Sequence, residues 1–162
     1  MGPSLTGSDQ GLRNLVAAAA LAPSSHNTRP WLFRIGAHVV DLVADRTRAR
    51  PVNDPHDREL TISCGCALLN LSVAAAAAGQ QATVELLSDP SDEDLLARVR
   101  LWPGPPLPHL ANLDAAIAVR RTCRERFADI EVGAGTAQDL AAAVQDEGAT
   151  LTVLGTPSSA GL

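Results

Sequence analysis

Two short stretches of the sequence concentrate the side chains best able to do chemistry. Ser24-Ser25-His26-Asn27-Thr28-Arg29 sets hydroxyls, an imidazole, an amide and a guanidinium in one turn between Pro23 and Pro30. In such a turn, side chains and backbone groups can point at a ligand together. Arg120, Arg121, Arg124 and Arg126 surround Thr122, and several planar donors with one hydroxyl in so short a span suit a single phosphate group. The other reading of that cluster is solvated surface charge paired with acids such as Glu125 and Asp129.

Further combinations have weaker chemistry. A hydrolase would use Ser25 as nucleophile and His26 as its base, but adjacent side chains seldom face one another and no nucleophile elbow is present. A turn residue or a hydrogen-bonded, half-buried imidazole accounts for His26. Cys64-Gly65-Cys66 with Cys123 and a histidine makes a zinc site on paper, yet a single C-x-C pair lacks the paired spacing of structural zinc. Small packing residues are the expected role for these cysteines. Gly133-Ala134-Gly135-Thr136 is similar to half a phosphate loop, without a clear strand before it or a Gly-Lys-Ser end, and helix capping explains it. Asp54 and Asp57 flank His56 ahead of a helical stretch and are expected to cap it. No two carboxylates stand out as an acid/base couple.

The elements that must position these residues follow from periodicity and punctuation. Ser8 or Asp9 can cap a helix running to about Ala22 and ended by Pro23. Residues 31–35 and 39–43 read as the strands of a hairpin around Gly36-Ala37. Residues 45–55 are polar, arginine-rich and broken by prolines, hence a surface loop. From about Asp57 to Ala78 a helical stripe of Leu60, Cys64, Ala67, Leu68, Leu71 and Ala75 ends at Gly79, a C-cap signal. Ala74 to Ala78 let a neighbour approach this central helix closely. Two strands, 82–87 and 97–101, precede the proline-rich break Pro103-Gly104-Pro105-Pro106-Leu107-Pro108. A helix over about 112–120, a helix from Thr136 in a capping box with Asp139 to about Gly148, and a strand over 150–154 complete the order.

Composition sets the outer limits. A chain of 162 residues holds one compact domain, or one domain with a fragment of another, but not two complete α/β domains. Hydrophobic residues make up 46% of it, largely alanine, and aromatics only 2%, so its core must close through small side chains. A net charge of −5 and a pI near 5.2 repel phosphate backbones and anionic lipid, so neither nucleic acid nor membrane is an expected partner. All 13 basic residues are arginine, which favours bidentate recognition of phosphate or carboxylate and equally fits a GC-rich coding bias. No signal-peptide pattern is seen, and no apolar run is expected to span a bilayer. Three cysteines, an odd number, suit a reducing compartment, so the expected location is cytoplasmic. Asn70-Leu71-Ser72 matches a glycosylation sequon that has no meaning without secretion.

The string Ala22-Pro23-Ser24-Ser25-His26-Asn27-Thr28-Arg29-Pro30-Trp31 resembles the A-P-S-x-x-N-x-Q-P-W loop of the nitroreductase family, and Arg120-Arg121-Thr122-Cys123-Arg124 resembles that family's R-R-S-x-R motif. In the family the first borders a flavin ring and the second binds the phosphate of FMN. Arg29 stands where ordinary nitroreductases have glutamine, and Phe127 lies one residue later than their motif places it.

Here the two motifs come in the reverse of their usual order. That reversal, with Asp54-Pro55-His56-Asp57-Arg58-Glu59 and Ile62-Ser63-Cys64-Gly65-Cys66-Ala67-Leu68-Leu69-Asn70-Leu71, is similar to the Acg-type nitroreductase-like proteins of actinobacteria, whose long chains are fused pseudo-dimers of two nitroreductase halves.

The resemblance spans about residues 12–154 and implies an α+β, nitroreductase-like fold with a mixed or antiparallel sheet flanked by helices and an incomplete second half. It divides the chain into a tail (1–10), a first half (11–110), the start of a second (111–155) and a C-terminal tail (156–162). It further implies FMN as cofactor, with Pro23, Ser24, Ser25, Asn27 and Arg29 at the ring and Arg120, Arg121, Thr122 and Arg124 at the phosphate. NAD(P)H would be the electron donor, a nitroaromatic, quinone or other small molecule the acceptor, and the assembly a homo-oligomer. No catalytic side chain is implied, because the redox chemistry belongs to the flavin. The competing reading is a protein without turnover that sequesters flavin or associates with itself.

Overall fold

The structure is a computed structural model that describes residues 9–105 and 107–153. Of the tail expected at 1–10, residues 1–8 lie outside the described residues, as does the tail expected at 156–162, whereas Asp9 and Gln10 already belong to the first helix.

Leu12, Leu15 and Ala19 recur at helical spacing and form the buried face of α1, Asp9–Ala19. The helix stops short of the expected Ala22. The amides of Leu21 and Ala22 instead close tighter turns onto the carbonyls of Ala18 and Ala19, each at 3.1 Å, because the residue before a proline is pushed out of the helical region.

The expected hairpin is present: β1 (Trp31–Gly36) and β2 (Val39–Ala44) run antiparallel with Trp31 opposite Ala44 and Gly36 opposite Val39. With β3 (Gln80–Leu86) and β4 (Leu95–Pro103) they make an antiparallel sheet in the order β1-β2-β4-β3. One face is apolar, with Val40, Leu42, Ala97, Val99 and Leu101 buried. The other carries a row of charges that alternates in sign across all four strands, Arg34, Asp41, Arg98 and Glu85. Cross-strand neighbours of opposite sign stabilise such a face and keep it in water. Arg98 forks onto the two oxygens of Asp41 at 2.8 Å each, while Arg34 turns aside to Asp92 at 2.7 Å.

The apolar face is covered by α1 and by α2, Arg58–Ala77. Asp54 caps α2: its carboxylate accepts the amides of Arg58 at 2.8 Å and Leu60 at 3.0 Å, satisfying donors that the helix itself cannot. Asp57, at φ +52°, makes no side-chain cap. Gly79 terminates the helix at φ +70°, a conformation that costs a glycine nothing. Leu60, Cys64, Ala67, Leu71 and Ala75 of the expected stripe are buried, and Leu68 half-buried.

Contrary to the sequence expectation, α2 is long and apolar enough to cross a bilayer, with a mean hydropathy of 1.8 over an 18-residue window. Half of that window is buried inside the protein, the pattern of a core helix whose apolarity is satisfied by α1 and the sheet.

Two compact units divide at Thr122 and Cys123. The first ends in α3 (Pro108–Ala111) and α4 (Asp114–Val119), two short helices where one over 112–120 was expected. Pro108 opens α3 early, since its fixed φ and missing N–H suit a first helical position.

The second unit holds α5, Ala134–Asp146, which starts at Gly133 with no side-chain cap. Thr136 and Asp139 lie inside the helix rather than forming a capping box, because the Gly133 carbonyl already accepts the Ala137 amide at 3.1 Å. Residues 150–153 form no strand: a strand exists only through a ladder, and no described residue pairs with them. Leu154, the last residue of that expected strand, lies outside the described residues.

Candidate functional site

The loop from Pro23 to Pro30 is tied at both ends to the core, through buried Ala22 and Trp31. A short 3-10 turn, Ser25–Asn27, occupies its centre. His26, Asn27 and Arg29 take φ values of +50°, +56° and +50°, a left-handed region that each non-glycine residue enters at a cost. The loop therefore needs support from outside its own backbone.

That support is a set of hydroxyl contacts. Ser24 Oγ accepts the Arg29 amide at 2.9 Å, and the Thr28 hydroxyl donates to the Ser25 carbonyl at 3.0 Å. The Ser25 amide donates to Ser63 Oγ on α2 at 3.1 Å, and the Ser63 hydroxyl donates to the Glu59 carbonyl at 2.7 Å. The Ser25 hydroxyl donates to the Glu59 carboxylate. With that proton committed, Ser25 Oγ offers only lone pairs to anything else. It does not pair with exposed His26, so no serine–histidine couple forms.

Pro23, Ser24 and Ser25 line a cleft of about 270 Å³ with Glu59, Ile62, Ser63 and Cys66 of α2. Asn27 and Arg29 are exposed and do not line it. The α2 contributors escaped the sequence analysis, although Glu59, Ile62, Ser63 and Cys66 recur at helical spacing beside the core stripe. That second stripe mixes acidic, hydroxyl, apolar and thiol groups, so no hydrophobic period marks it.

The cysteines divide by place. Cys64 is buried, donates to the Pro30 carbonyl at 3.2 Å, and has its thiol pushed up to about 12 by burial. It is a packing thiol that also pins the end of the loop. Cys66 faces the cleft; burial pushes its thiol up and the charge of Arg120 pulls it partly back. Cys123 is exposed in the second unit.

The influence of Arg120 on Cys66 has a simple origin, for α4 packs on α2 and Arg120 is the C-cap of α4. Arg120 donates to the Thr122 hydroxyl at 3.1 Å, and Arg121 to the carbonyls of Ala118 and Arg120 at 2.9 Å each. Arg124 and Arg126 belong to the second unit and are exposed.

Among the described residues, none of these four guanidiniums is ion-paired, and neither Glu125 nor Asp129 compensates them. By contrast Arg13, Arg34, Arg46, Arg48, Arg98 and Arg100 each hold a carboxylate. Uncompensated guanidiniums beside a hydroxyl are what an oxyanion requires.

The sheet and its two covering helices are those of a nitroreductase-type α+β protein. The crystal structure of a nitroreductase family protein from Streptococcus pneumoniae TIGR4 superposes with a TM-score of 0.50 at 16% identity, covering 78% of this chain and 90% of that one. In sequence the chain is 38% identical over 116 residues to Mycobacterium tuberculosis Rv3131, and 37% identical over 119 residues to acg of the same organism. Both carry the name "Putative NAD(P)H nitroreductase". The matches take in 72% and 73% of this chain but only 34% and 36% of those proteins, so the chain spans about a third of the length of the curated relatives it matches. No family model matches it. The chain belongs to the Acg-type branch of the nitroreductase-like superfamily.

Proposed function

We propose that this chain carries part of an FMN site and acts as a nitroreductase-like oxidoreductase. The observation that carries this reading is that one unit holds both the cleft lined by Pro23, Ser24 and Ser25 and, within electrostatic reach of its Cys66, the unpaired Arg120. The residues fit the group: Pro23 and Ile62 supply apolar surface for a ring system, the serines supply hydrogen bonds, and Arg120, Arg121 and Thr122 supply donors without competing carboxylates. Asn27 and Arg29 would stand at the exposed side of the loop.

FMN bound there would supply two-electron redox chemistry, with reduced nicotinamide as donor and a nitroaromatic, quinone or other small molecule as acceptor. The protein's share is to orient the ring by the loop, neutralise the phosphate by arginines and shield one face of the site by α2. The mycobacterial relatives named as NAD(P)H nitroreductases support that donor.

Titration with FMN and riboflavin tests the assignment. Arg120→Ala is expected to weaken FMN about tenfold, the loss of one charge-assisted hydrogen bond, while leaving riboflavin, which has no phosphate, almost unchanged. Equal losses for both ligands would refute the phosphate role of the arginine motif. Wild-type protein that binds neither would refute the flavin site. Bleaching of bound flavin by NADH or NADPH then reports the donor.

A further inference from the structure

Glu59 is exposed on the first turn of α2, yet it supplies two acceptors to the loop contacts: its carboxylate to the Ser25 hydroxyl and its carbonyl to the Ser63 hydroxyl. Ser63, itself only 3% exposed, takes the Ser25 amide at 3.1 Å. The three residues close a ring of hydrogen bonds in which the amide and the hydroxyl of Ser25 are both held by one turn of a rigid helix. Ser25 opens the 3-10 turn immediately before left-handed His26 and Asn27, so its position sets the direction of everything up to Arg29.

We infer that Glu59 is the positioning residue of the cleft: acting through Ser25, it holds the 24–29 loop in its left-handed course against α2. Its role is that of a hydrogen-bond acceptor rather than a charge, because what it receives is a neutral hydroxyl. The inference uses the flavin site only for what the loop is positioned to meet; the clamp itself concerns this chain alone.

Amide hydrogen exchange of the ligand-free chain and FMN titration together test it, on Glu59→Ala, Glu59→Gln and Ser63→Ala. Exchange at the Ser25 and Arg29 amides is expected to rise about tenfold in Glu59→Ala, as the local opening that those bonds resist becomes easier. Ser63→Ala, which removes the acceptor of the Ser25 amide, should raise exchange at Ser25 likewise. Glu59→Gln keeps an acceptor oxygen at the same place and should restore the wild-type pattern. FMN affinity should follow the same order, with melting temperatures close to wild type because Glu59 is at the surface.

Unchanged exchange in Glu59→Ala would overturn the inference. So would Glu59→Gln behaving like Glu59→Ala, which would assign the effect to charge. If the exchange pattern holds but no variant, nor the wild type, binds FMN, the clamp stands and the flavin reading falls.

Discussion

Asp41 shows how one side chain links the sheet to pH. The fork of Arg98 holds its carboxyl below the usual carboxylate range, outweighing the burial that would raise it. A carboxyl whose pKa is depressed by folding contributes stability above its unfolded value of about 3.9, and that contribution is lost as pH falls through the folded-state value. Asp41→Asn should therefore destabilise the chain at pH 7 by about 1–2 kcal/mol, the worth of a charge-assisted pair. The gap between wild type and variant, read from urea unfolding, should narrow as the pH falls below the usual carboxylate range. A gap that stays constant with pH would show that Asp41 acts through shape alone. Ser25 belongs to the same scale, since its committed proton fixes what it can offer a ligand.

Among the elements, α2 serves both the core and the cleft. Its core stripe of small residues lets α1 and the sheet come close, with Ala67 and Ala75 fully buried. Ala75 shares a cluster with Leu12, Leu15, Val40, Val99 and Leu101, so Ala75→Leu forces side chains into a space already filled. Thermal unfolding should register a loss of about 1–3 kcal/mol. A neutral effect would mean that the alanine run leaves slack. The neighbouring stripe, from Glu59 to Cys66, meets the loop instead. The same rigid helix thus fixes the loop's position relative to the core, and Asp54 and Gly79 fix where the helix begins and ends.

For the whole molecule, the two units differ in how they bury apolar surface. The first has two core clusters, whereas α5 of the second has no buried residue. Phe127 and Ile130 are 77% and 78% exposed. A helix of 13 residues is marginal in water without a packed face, and exposed apolar groups of this kind favour association. The chain is therefore expected to self-associate, with sedimentation velocity showing a species above the monomer mass that grows with concentration. A single monomer across the concentration range would contradict this.

Read alone, the sequence determined the local features. Pro23 ends a helix, Gly79 ends another, the apolar alternation of 31–35 and 39–43 makes a hairpin, and the two motifs point to the family, because each is carried by neighbouring residues. It misplaced what depends on partners. The strand at 150–153 lacked a ladder, the capping box at Thr136 was pre-empted by the Gly133 carbonyl, and the span-length apolarity of α2 went unnoticed because alanine is only weakly hydrophobic. Only the tertiary structure decided that Glu59 and Ser63, 34 and 38 residues from Ser25, would hold the loop. It also decided that the charge of Arg120 would be felt at Cys66, through the packing of α4 on α2. Contacts between distant residues depend on how helices and sheet pack, and no local pattern of residue types records them.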